Sequence, residues 1–166
     1  MKFFLTCCFG LLLITTSAVG AQAEPCSGLS LKVDASGQEA AMSKASYGYT
    51  VTNIGAKTCS LEGFPSVTLL DSKGQEITNI KVADSTSSYF TEDAKPGPVE
   101  LEPGAVASFS IEMVSSAVAG EGCTTAVEAR LTLPHTDIPS TFAGSFTSCG
   151  EAITVTPLRL GGDTIQ

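Results

Sequence analysis

The single histidine of the chain, His135, stands in Pro134-His135-Thr136-Asp137. A serine hydrolase needs a serine, a histidine and an acid gathered in space, and none of the many serines lies in a G-x-S-x-G elbow. Asp137, two residues on, would at most tune the ring. Glu92-Asp93 form a carboxylate pair of the kind that does acid and base work on sugars, but adjacent charges in a polar stretch favour solvation. An extracytoplasmic hydrolase using His135 or this acidic pair is therefore the alternative reading, and no catalytic residue is assigned. Asp84, Glu92 and Asp93 could offer oxygens to calcium, although they lack the ordered spacing and central glycine of a calcium loop. Met42 and Met113 have no histidine neighbours that would make a copper site. No cofactor and no metal is expected. Tyr89-Phe90 are two aromatic residues in an otherwise polar stretch, which suits contact with a partner or sugar ring. Folding back over the end of the domain is the equal alternative.

The cysteines say more. Cys7 and Cys8 lie in an apolar N-terminal run, whereas Cys26, Cys59, Cys123 and Cys149 are spread along the rest. Four cysteines in an oxidising compartment read as two disulfides with three possible pairings. Cys26 with Cys59 and Cys123 with Cys149 is favoured, because each pair flanks strands that are neighbours in sequence. Loops on the order of 30 residues give about 3–4 kcal/mol per bridge in the chain-entropy model. No C-x-x-C pair accompanies the one histidine, so a zinc site is not expected, and full pairing leaves no thiolate nucleophile.

The N-terminus supplies the compartment. Met1 and Lys2 precede an almost unbroken apolar run over 3–14, closing at Ala21-Gln22-Ala23 before Glu24. A positive start, an apolar stretch and an A-x-A site make a cleavable signal peptide, 1–23, shorter than the about 20 apolar residues of a membrane helix. Ala23-Glu24-Pro25 is a poor sequence for lipid attachment at Cys26. A periplasmic or secreted product without stable membrane insertion is expected. The remainder, 24–166, has the length of one domain. The formal net charge is −8, and loss of Lys2 makes it one unit more negative. Nucleic acid is thereby excluded as a partner.

The elements that must position these residues are all strands. Short runs rich in Val, Ile, Thr, Tyr and Phe alternate with Gly, Pro, Asp and Ser clusters. The first strand is 29–33. In 45–53, Ala45, Tyr47, Tyr49 and Val51 share one face, and Ser46, Gly48, Thr50 and Thr52 should face water. A hairpin is predicted from 67–70 and 76–82, with Asp71 early and Gly74 last in a type I turn. The stretch 83–98 reads as a long exposed loop. A short strand at 99–101 and a turn at Glu102-Pro103-Gly104 follow. Ala107, Phe109, Ile111 and Met113 alternate with polar residues, as do Val127, Ala129, Leu131 and Leu133. The last strand, 153–156, stops at Pro157. Seven or eight half-apolar strands need two packed sheets, which predicts an all-β, antiparallel immunoglobulin-like sandwich stapled by disulfides. An antiparallel barrel is the runner-up.

Thr58-Cys59-Ser60-Leu61-Glu62-Gly63-Phe64-Pro65-Ser66-Val67, preceded by Asn53-Ile54-Gly55, resembles the signature of the domain of unknown function 4232 family. Leu101-Glu102-Pro103-Gly104-Ala105-Val106-Ala107 is similar to its second motif. Cys123, Leu133-Pro134, Cys149-Gly150 and Val155-Thr156-Pro157-Leu158 follow in the family's order. The resemblance spans about 26–158, leaving a short tail at 159–166. It implies a bacterial exported or lipid-anchored envelope protein with a β-sandwich domain, and it carries over no catalytic residues. Met113 stands where many members have an aromatic residue, and the lipobox of many members is missing. Physically, Gly63 and Pro65 would let the chain bend while Phe64 caps the core beside Cys59. The combined expectation is a non-catalytic module that binds a protein or small ligand in the envelope or outside the cell.

Overall fold

The computed structural model describes residues 23–116 and 122–162. The predicted signal segment lies outside the described residues, apart from Ala23. A 3-10 turn at Gly28–Ser30 opens into β1 (Leu31–Ala41), β2 (Lys44–Asn53), β3 (Cys59–Glu62), β4 (Ser66–Leu70) and β5 (Lys81–Asp84). Then come β6 (Pro98–Leu101), β7 (Val106–Val114), β8 (Thr124–Thr132), β9 (Pro139–Ser148), β10 (Ala152–Val155) and β11 (Arg159–Leu160). The larger sheet runs β1-β2-β7-β10-β5, with β11 also on β7; the smaller runs β4-β8-β9; β3 and β6 form a pair. All named pairings are antiparallel except β5 with β10. The fold is thus the expected all-β sandwich.

The core follows from the strand period of two. Ala45, Tyr49 and Val51 of β2 meet Ala107, Phe109, Ile111 and Met113 of β7, and Ala126, Ala129, Leu131 and Phe146 from the smaller sheet close over them. Tyr49 stacks on Phe109 with ring centroids 5.3 Å apart. Both disulfides pair as anticipated, Cys26 with Cys59 and Cys123 with Cys149.

Several expectations need correction. The turn at Asp71 forms, its carboxylate accepting the N–H groups of Lys73 and Gln75 at 2.8 and 2.9 Å. The return strand stops after one turn of pairing: Leu70 bridges Glu76 and the Ile77 N–H reaches the Leu69 carbonyl, then buried Ile80 carries the chain across to β5, which pairs in parallel with β10. Parallel pairing with β10 outweighs local turn geometry here. Leu29 sits in the 3-10 turn and is exposed rather than opening β1. Ser46 and Gly48 are buried, not washed by water, because β2 lies between β1 and β7. Val127 turns outward, since a bulge between Ala126 and Glu128 shifts the face. Phe64 is half-buried, and Pro65 takes the fully buried place instead. Strand β9, unassigned from the sequence, is long but built from Ser, Thr, Gly and two phenylalanines, so it has no apolar alternation to read.

Candidate functional site

The two sheets differ in width. Aromatic contacts place β9 over β2: Tyr47 meets Phe146 at 4.8 Å and Tyr49 meets Phe142 at 5.0 Å. Strand β1 therefore extends past the smaller sheet, and not one of its residues is buried. The overhang leaves a cleft of about 320 Å³ between β1, β2 and β9, whose lining includes Ala35, Gln38, Tyr47, Tyr49, Phe142 and Phe146. That volume is at the lower end of the range for ligand sites.

Both flanking strands are irregular at the cleft. β1 carries one extra residue between Ala35 and Gly37, and β9 one extra between Ala143 and Phe146. Bulges of this kind re-aim side chains and interrupt pairing. The Ser36 hydroxyl at the β1 bulge is buried and has no hydrogen-bond partner among the described residues. Gly144 lets the Phe146 ring approach closely, because a Cβ there would come within 3.1 Å of it. The Tyr47 hydroxyl donates to the Ser145 carbonyl at 2.8 Å, pinning β9 to the floor. Burial raises the pKa of the Tyr47 phenol, and burial followed by the neighbouring Tyr47 raises that of Tyr49 further. Both rings therefore present neutral, mostly apolar surface.

Tyr89 and Phe90 belong elsewhere. The segment 85–97 lies against the opposite, outer face of the larger sheet. Glu112, buried on β7, accepts a hydrogen bond from the Ser88 hydroxyl and another from the Tyr89 N–H at 3.2 Å. The Ser88 oxygen in turn accepts the N–H groups of Phe90 and Thr91. Lys44 stands 5.2 Å from the centre of the Tyr89 ring, which meets Phe90 edge-on. These aromatic residues are thus folded back on the sheet, with Tyr89 still about half exposed.

The remaining candidates are not brought together. His135 is exposed in a turn at φ 59°, and it makes no side-chain hydrogen bond among the described residues. Asp137 is exposed on the same connection. Asp93 accepts the Ser87 hydroxyl and the Ser88 N–H, whereas Glu92 and Asp84 are exposed beside it. Among the described residues no three His, Cys, Asp or Glu side chains group as metal ligands. Met42 is exposed and Met113 lies in the core.

The first two motifs meet at one buried side chain, that of Asn53. Its amide donates to the carbonyls of Lys57 and Leu101, each at 2.8 Å, and accepts the Gly55 N–H at 2.9 Å. Its backbone bonds Ala105 and Gly104 of the second motif. Gly104 is needed for its φ of 82°, which side-chain-bearing residues disfavour. The Leu158 N–H reaches the Gly63 carbonyl at 3.0 Å, tying the last motif to the first. A family model described as a domain of unknown function, DUF4232, matches residues 26–159. The chain belongs to the DUF4232 family. No curated protein and no solved structure matches it. The DUF4232 motifs of this chain build the fold and lie apart from the cleft.

Sequence reasoning missed the cleft because Tyr47 and Tyr49 read as ordinary core and β9 was not recognised. One signal was available. Phe142 and Phe146 are an even number of positions apart around Gly144, as two rings on one strand face would be.

Proposed function

We propose that this DUF4232 domain is an exported, non-catalytic binding module whose ligand seat is the cleft between β1, β2 and β9. The carrying observation is the aromatic-lined hollow left where the larger sheet outreaches the smaller. Its rings are held by one another and by the Tyr47 bond to β9, so the seat is preformed and little ordering opposes binding. Work in the periplasm or outside the cell agrees with the two disulfides and with the leader pattern of the first 23 residues. No helix among the described residues is long and apolar enough to cross a membrane. The ligand is a protein segment or small molecule rather than nucleic acid, given the net charge of −8.

The test is photocrosslinking in the native envelope. A benzophenone side chain in place of exposed Gln38 should give a discrete adduct, and the same group at exposed Lys73, in the turn after β4, should not. Replacing Tyr89 and Phe90 together by alanine should leave the Gln38 adduct unchanged. Equal labelling from Gln38 and Lys73 would remove the cleft as the site.

A further inference from the structure

We infer that the cleft is a vacant strand position: a single extended segment of a partner polypeptide adds along the free edge of β9. Alternate side chains of that segment sit on the floor formed by Ala35, Gln38, Tyr47 and Tyr49. The inference rests on the binding reading above and names its ligand class.

The vacancy follows from the layering. The larger sheet is five strands wide along β1-β2-β7-β10-β5, with β11 also on β7, and the smaller is three strands wide. Neighbouring strands lie about 4.8 Å apart and packed sheets about 10 Å apart. With β9 over β2, the space above β1 has the width of about one strand. β1 has no buried residue, whereas β2 beside it is largely buried.

The edges differ in how they are guarded. β1 carries Lys32, Asp34 and Glu39, the charged side chains that discourage edge pairing. β9 has no charged residue over its ten positions, and Ala143, Gly144 and Ser145 are exposed on it. β9 pairs only with β8, so the backbone groups on its other edge have no strand partner, apart from the Ser145 carbonyl at the bulge, which takes the Tyr47 hydroxyl. Main-chain bonding to such an edge supplies affinity, while pockets for alternate side chains supply selectivity.

The overhang also selects the occupant. A second copy offering its own β9 would drive its β1 into the space held by the first copy's β1. A lone segment with no sheet beneath it meets no such clash. The floor of rings, alanine and glycine favours apolar residues at alternate positions. The net charge of −8 favours basic residues between them.

The probe is an acetylated ten-residue peptide alternating valine and lysine, titrated into the isotope-labelled exported protein and followed by amide shifts and hydrogen exchange. Perturbation and slowed exchange are expected in 142–146 and in the facing parts of β1 and β2. Binding should weaken at least tenfold for a valine–glutamate analogue and for a peptide N-methylated along its pairing edge. Ala35→Trp, placed at an exposed position, should fill the slot and weaken binding equally without unfolding the domain. Binding that survives N-methylation, shifts confined to other surfaces, or no response at millimolar peptide would each overturn the strand reading. A Gln38 crosslink together with no peptide response leaves the binding module standing and removes only its proposed ligand class.

Discussion

Asn53 shows how much a single buried amide can organise. Its side chain uses both donors and its acceptor, on Lys57, Leu101 and Gly55, so the turn after β2 and the end of β6 both depend on it. Asn53→Ala strands two carbonyls and an N–H and should cost about 2–4 kcal/mol, read as a lower urea midpoint. Asn53→Asp should be at least as harmful, because a carboxylate cannot donate. Tyr49 sets a different limit. Burial, then Tyr47, holds its phenol neutral well above the ordinary tyrosine range. The raised folded pKa gives a stabilising contribution that is complete below about pH 10, the ordinary tyrosine value, and shrinks as pH climbs beyond it. Alkaline melts should show a falling Tm above that point, and Tyr49→Phe should flatten the fall.

Among the elements, the strap 85–97 is the clearest case of polar anchoring. Its turn is held by the buried Glu112 through Ser88 and Tyr89, and by Asp93 through Ser87 and Ser88. Glu112→Ala removes the shared acceptor and should cost about 1–3 kcal/mol. Amide exchange and limited proteolysis of 85–97 should rise in that variant, while the amides of β7 stay protected by β2 and β10. Uniform loosening of β7 instead would show that Glu112 supports the sheet rather than the strap. The sequence exposed the polarity of this segment but not its docking, because the acceptor lies far along the chain. Glu112 itself read as a solvated member of an alternating strand.

For the whole molecule, address and shape combine. The leader pattern predicts that protein recovered from an exporting host begins at Glu24, which intact mass and N-terminal sequencing would check. The same preparation should hold Cys26 joined to Cys59 and Cys123 joined to Cys149 in a non-reducing peptide map. A chain retaining residues 1–23 would redirect the functional reading toward a membrane-tethered domain.

The apolar inner faces of β2, β7 and most of β8 were legible from the sequence, since side chains alternate along a strand, whereas the burial of Ser46, Ser110 and Glu112 on the other face was not. The cysteine pairing was legible too, because each bridge joins segments close along the chain. The Asn53-Ile54-Gly55 and Leu101-Glu102-Pro103-Gly104 motifs disclosed the family, although only their meeting at Asn53 explains why they recur together in this chain. Tertiary structure alone decided the rest. The parallel β5–β10 pair joins strands remote in sequence, while the outward turn of Val127 and the seating of β9 over β2 rest on a bulge and on ring contacts that residue order does not show. The cleft depends on tertiary structure most: it is the difference in width between two sheets, a quantity that no local run of residues encodes.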